Sequence, residues 1–264
     1  MKYRFLSVFA LAVMFFYCCS CEKMPEPLID YVDEYGVNHG TGVKIGKAVW
    51  APVNCGYHKD DFKYGKQYQW GRKYGQGYRG QMYDGHGNMI KDYSDAIGWT
   101  CIHGPVSLEE GQSPENRNVI YLSSEEYDFD WLYPHDDMLW NSGTEENPMK
   151  TEYDPCPEGW RVPTYAELKE LSRNYSSWTA NDDGQYGYWF SGPESYNPDV
   201  PQIFLSAAGY FCHFGRGDMG DYWSSKPICT YACDAYQLSF AINYNYISGY
   251  GDRTSNSSVR CVQE

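Results

Sequence analysis

Cations are in short supply in this sequence: 21 Lys and Arg stand against 35 Asp and Glu, a formal net charge of −14. No basic stripe offsets that balance, so like-charge repulsion argues against nucleic acid or an anionic membrane surface as a partner. Long apolar runs are missing too. The run from Phe5 to Tyr17 is too short to span a bilayer, and sustained helical periodicity is scarce. Neither a Gly-x-Ser-x-Gly elbow, a phosphate loop nor a dinucleotide fingerprint occurs, so no catalytic residue is assigned and no cofactor is expected. His39, His58, His86, His103 and His213 are scattered and show no zinc spacing. Aromatic residues, by contrast, are abundant. They make up 18% of 264 residues, with 27 Tyr beside 26 Gly and 9 Trp, which suits a loop-rich or β-rich chain whose rings are half buried and half wet. That length and a hydrophobic share of 42% supply a sizeable core for one large domain or two small ones.

The opening MKYRFLSVFALAVMFFYCCSC places Lys2 and Arg4 before the apolar run and small residues before a cysteine, which reads as a secretion signal. It resembles a bacterial lipoprotein signal. Residues 1–20 would then be the signal peptide and Cys21 the lipidated residue, with Cys19 as the alternative, since Cys18 departs from the usual aliphatic position. Lipid attachment implies a cell-envelope location, at the outer membrane or cell surface, with membrane contact through the anchor. Residues 21–40, acidic and carrying Pro25, Pro27, Gly36 and Gly40, read as a tether.

From Gly42 the pattern turns to strands. Val43, Ile45, Val49 and Val53 recur at odd positions, and YGKQYQWGRKYGQGYRG follows with glycine-punctuated aromatics. Residues 80 to 150 lack clear periodicity and read as an insertion of loops, with SSEEYDFDWLY as a short helix capped at Ser123 or Ser124. In DPCPEGWRVPTYAEL, Thr164 and Glu167 form a capping box and Leu168 and Leu171 follow at helical spacing, which predicts a helix from Tyr165 to about Arg173. WFSG, IFLSAAGYF, DYWSSKP, YQLSFAINYNYISGY and SSVRCVQ read as strands.

DPCPEGWRVPTYAELKEL, SAAGY, GDYWSSKP, YQLSFAI and SSVRCVQ, in that order, together with GVKIGKAVWAPVN and YGKQYQWG, resemble the Fibrobacter succinogenes major paralogous domain family. The likeness covers most of residues 41–264. It implies an α+β, C-type-lectin-like or formylglycine-generating-enzyme-like fold: a twisted antiparallel sheet, one or two short helices and long, disulfide-stapled loops. The family pattern also implies a disulfide between Cys156 and Cys261. Of the other cysteines past the signal, Cys55 with Cys101 is a candidate second bridge. Any pair among Cys212, Cys229 and Cys233 leaves one over. Cys229-Thr-Tyr-Ala-Cys233 is similar to the cysteine pair of formylglycine-generating enzymes, although its spacing and its distance from Arg260 and Cys261 differ.

The Glu-Pro-Asn, Gln-Pro-Asp and Trp-Asn-Asp triplets of calcium-dependent lectins do not occur, and no metal site is assigned. Asn181, Asp182 and Asp183 could supply oxygen ligands but read better as a solvated turn. His135, Asp136 and Asp137 are adjacent and so point in different directions. Aromatic rings near turns are the better recognition groups, because they stack on sugar faces or anchor protein interfaces at small entropic cost. Tyr74, Tyr78, Trp178, Tyr186 and Trp189 are the candidates, with Tyr83 beside them. The expected function is non-catalytic recognition of a glycan or a surface protein. The alternatives are a structural or adhesive subunit of a surface assembly and, more remotely, a formylglycine-generating-type oxidase.

Overall fold

The computed structural model describes residues 27–59, 63–77, 100–210, 216–229, 233–242 and 244–264. The signal region with Cys21, and Tyr78, Tyr83 and Cys212, lie outside them. Among the described residues no helix is long and apolar enough to cross a membrane.

The chain is α+β and dominated by antiparallel strands. A five-stranded sheet has the spatial order Tyr244–Asp252, Cys233–Ala241, Met219–Cys229, Asn256–Ser258, Gln67–Gln69. Its long hairpin pairs Met219 with Ala241 through to Cys229 with Cys233. The register breaks between Trp223 and Pro227, where proline has no N–H to give the ladder. A four-stranded sheet joins Val43–Ile45, Ala48–Trp50, Val262–Gln263 and Trp160–Arg161, so the start, middle and end of the domain meet in it. Tyr186–Phe190 pairs with Ile203–Ser206 on one side and Thr179–Ala180 on the other.

The approach to the helix is built as its sequence suggests. Thr164 accepts from the Glu167 N–H and Glu167 accepts from the Thr164 N–H, closing the capping box. Both Glu167 oxygens also accept from Arg161, at 2.9 and 2.6 Å. The helix is Tyr165–Leu171, ending at a Ser172 cap short of Arg173, with Leu168 and Leu171 buried. In front of it, the buried carboxylate of Asp154 accepts from the N–H groups of Cys156 and Val162 and from Lys150, each at 2.8 Å. Cys156 and Cys261 are joined, with Cα atoms 5.9 Å apart.

Two buried clusters fill the interior. One gathers Trp70, Trp131, Trp140, Trp160 and Trp223 around Cys55 and the disulfide. Each of these indoles donates to a backbone carbonyl, those of Ser224, Trp70, Arg72, Asp30 and Tyr68 respectively, so burial leaves no N–H unmet. The other packs the helix leucines against Trp50, Tyr188, Phe190, Leu205, Tyr222 and Phe240.

Three expectations need correction. The proposed tether is not free from Asp30 onward: Asp30–Val32 and Asn38–Thr41 form a hairpin, and Tyr31, 1% exposed, sets its ring edge-on to Trp160 at 5.3 Å. Residues 100–150 are not merely excursion loops, because Trp131, Leu139 and Trp140 enter the core. Fully buried Arg72 also binds the carbonyls of Gly111, Asn116 and Val119. The helix expected in SSEEYDFDWLY is only a 3-10 turn, Glu125–Tyr127, with no side-chain cap.

Candidate functional site

Pairing of Tyr186–Phe190 with Ile203–Ser206 places Trp189 directly opposite Phe204, ring centroids 5.2 Å apart. Both rings line a cavity of about 310 Å³, together with Asn181, Asp183, Gln185, Gln202 and Tyr57. Its lining includes a turn organised by Asn181, whose side-chain Oδ1 accepts from the N–H groups of Asp183 and Gln185 at 3.1 and 2.9 Å. Asx geometry of this kind is what Asn-Asp-Asp-Gly favours, with Gly184 at φ +75° closing the turn. Asn181 Oδ1 is therefore spent on the backbone, and Asp183 pairs with Lys63 at 2.7 Å. The segment behaves as a turn, not a ligand set for a hard cation.

Arg260, which also lines the cavity, is buried and donates to Asn54 and to the carbonyls of Ala51, Pro52 and Phe204. Burial lowers its pKa to about 10, still far above neutrality, so it stays charged and holds those three carbonyls in place.

What the cavity offers a ligand is mainly amide chemistry beside a ring. Asn181 Nδ2 donates to Gln185 Oε1 at 3.0 Å, while Gln185 Nε2 and Gln202 Oε1, both buried atoms, find no protein partner. Gln185 is only 6% exposed. A buried amide left unmet costs about 1–3 kcal/mol, so rotation of either amide into the cavity beside the indole would give a ligand hydroxyl a partner.

The other predicted ring positions are dispersed. Tyr186, 50% exposed, is on the opposite face of the strand from Trp189 because side chains alternate. Trp178 packs edge-on to Tyr188 at 5.0 Å and Phe240 at 6.4 Å, and so completes the core instead of a binding surface. Tyr74 is half buried in a separate cavity of about 850 Å³. Sequence reading missed Gln185 and Gln202, and only the turn signal ahead of them points there.

The cysteines also differ from expectation. Cys55 and Cys101 are both free thiols, so the second bridge is absent. Cys55 is buried instead with its sulfur within 4.8 Å of both sulfurs of the disulfide. It donates to the Pro155 carbonyl and accepts from the Tyr68 hydroxyl. Burial pushes its pKa up to about 11, which keeps it a quiet thiol at neutral pH. Cys101 is exposed on Thr100–His103. Comparison with protein families, curated proteins and solved structures finds no match to this chain.

Proposed function

We propose that this chain is an exported, lipid-anchored, non-catalytic binding protein of the bacterial cell envelope, and that its C-type-lectin-like domain recognises a glycan in the Trp189 cavity. The carrying observation is that the Trp189 ring lines the same cavity as Gln185 and Gln202, whose Nε2 and Oε1 have no protein partner. An aromatic plane takes the apolar face of a sugar while amides read its hydroxyls. Charges at the rim are already engaged, Lys63 with Asp183 and Arg260 with carbonyls, so a neutral sugar fits better than an anionic one. The family-like motifs and the Cys156–Cys261 closure support the fold assignment, and the lipoprotein-like signal supports the location.

A second reading is a subunit of a surface assembly. Tyr244–Asp252 is an outer strand of its sheet and presents Tyr250, 65% exposed, an edge that another chain could extend. A glycan array probed with oxidised protein from residue 22 onward, with calcium and with chelator, separates the two. Saturable binding that weakens at least tenfold in Trp189→Ala, about 1.4 kcal/mol or more, supports the first reading. Absence of binding to every glycan, with self-association by sedimentation, supports the second.

A further inference from the structure

A second group of side chains far apart in sequence meets beside the long hairpin. Asp128 and Phe129 both have left-handed backbone, at φ +51° and +52°, and two backbone bonds dock this bend, one on the long hairpin and one on the turn that follows Tyr244–Asp252. Cys233 N–H donates to the Asp128 carbonyl at 3.0 Å, and Thr254 N–H to that of Phe129 at 3.1 Å. The carboxylate of Asp128, a ring nitrogen of His135 and the sulfur of Cys233 consequently lie within 4.8 Å of one another. Asp128 Oδ2 is 3.5 Å from His135 Nε2. Tetrahedral bonds of 2.0–2.3 Å to one ion set neighbouring ligand atoms roughly 3.3–3.8 Å apart, so closing this trio needs movement of only about 1 Å.

Behind the histidine stands a second carboxylate. Asp130 is buried; its Oδ2 is 3.2 Å from His135 Nδ1 and accepts from Arg253 Nη1 at 3.1 Å, while Oδ1 accepts from the Leu132 N–H at 3.1 Å. A carboxylate on Nδ1 fixes the tautomer that leaves the Nε2 lone pair for a metal. The Arg253 guanidinium is committed to Asp130 and Asp137 and lies over Trp70 at 4.4 Å. Its charge therefore serves the supporting shell.

We propose that Asp128, His135 and Cys233 bind a divalent transition metal, zinc by preference, with Asp130 as the residue that positions His135. Thiolate and imidazole exclude calcium and magnesium as preferred occupants, and three protein ligands leave a fourth position open to water or to a donor atom of a bound partner. Bound metal ties the 128–135 loop to the hairpin carrying Cys233. Cys229 is the register partner of Cys233 across that hairpin, which supplies the sharpest way for the proposal to fail.

Cobalt(II) is the probe, added to chelator-stripped protein from residue 22 onward under anaerobic conditions. The expected result is one cobalt per chain, a sulfur-to-cobalt charge-transfer band and the intense visible bands of tetrahedral coordination, all displaced by zinc. Cys233→Ser removes the charge-transfer band, and His135→Ala weakens binding. Asp130→Asn keeps the bands but loosens binding about 10- to 100-fold, as loss of a supporting carboxylate does. Circular dichroism on each variant separates lost ligation from lost fold, and Cys101→Ser should behave as the parent. A folded protein with no charge-transfer band, a band that survives Cys233→Ser, or a Cys229–Cys233 disulfide found by peptide mapping each overturns the proposal.

Discussion

Asp221 lies on the central strand of the five-stranded sheet, 5% exposed, with Gln237 Nε2 at 3.5 Å and a hydrogen bond from Ser239. Burial dominates these contacts and raises its pKa to about 6 from an ordinary value of 3.8. The folded chain therefore holds this proton more tightly than the unfolded chain. Its stabilising contribution is complete below about pH 4 and is lost as pH rises through about 6, a swing on the order of 3 kcal/mol. Asp234 shifts in the same direction, also to about 6, first through burial and then through Asp252 opposite it, but it is more exposed and weighs less. Replacing Asp221 by Asn keeps the shape and removes the charge. Asp221→Asn should raise the urea midpoint at pH 7 and flatten the fall in stability between about pH 4 and pH 7. An unchanged pH profile would show that water reaches the carboxylate.

Thr164→Ala should cost about 1 kcal/mol, read from the urea midpoint at constant slope, because it removes one half of a reciprocal cap. Glu167→Ala should cost more, since Arg161 loses its bidentate partner in the same step. This helix was legible in the sequence because its start is decided within four residues. The hairpin at residues 30–41 was not, because what orders it is Tyr31 meeting Trp160, some 130 positions away. Trp131 and Trp140 were hidden for the same reason: no local period marks them, and their indoles are satisfied by carbonyls at Trp70 and Arg72. The candidate site was half legible. An aromatic near a turn pointed to Trp189, whereas Gln185 and Gln202 read as ordinary surface amides until strand pairing brought them under one roof. Gly187 marks that pairing, since a Cβ there would come within 2.1 Å of the Leu205 carbonyl oxygen. Gly187→Val should unseat the pair and weaken glycan binding at least as much as Trp189→Ala does, whereas Tyr186→Ala, on the opposite face, should leave it unchanged.

At the scale of the whole molecule the disulfide ties the approach to the helix to the final strand across a separation of 105 residues. In the chain-entropy account a closure of that length stabilises by about 4–5 kcal/mol. Testing that figure with one substitution would mislead, because the Cys55 sulfur lies within 4.8 Å of both partners. In Cys156→Ser the orphaned Cys261 has Cys55 as a neighbour, and oxidising conditions can join them, restoring a cross-link over an even longer stretch. The single variant should therefore lose much less than the full amount when prepared oxidised, and peptide mapping should find Cys55–Cys261. Adding Cys55→Ser removes that escape, and the double variant should then show the whole loss. If the oxidised single and double variants have equal urea midpoints, Cys55 is held too firmly by Tyr68 and Pro155 to exchange partners, and the quiet thiol is part of the core alone.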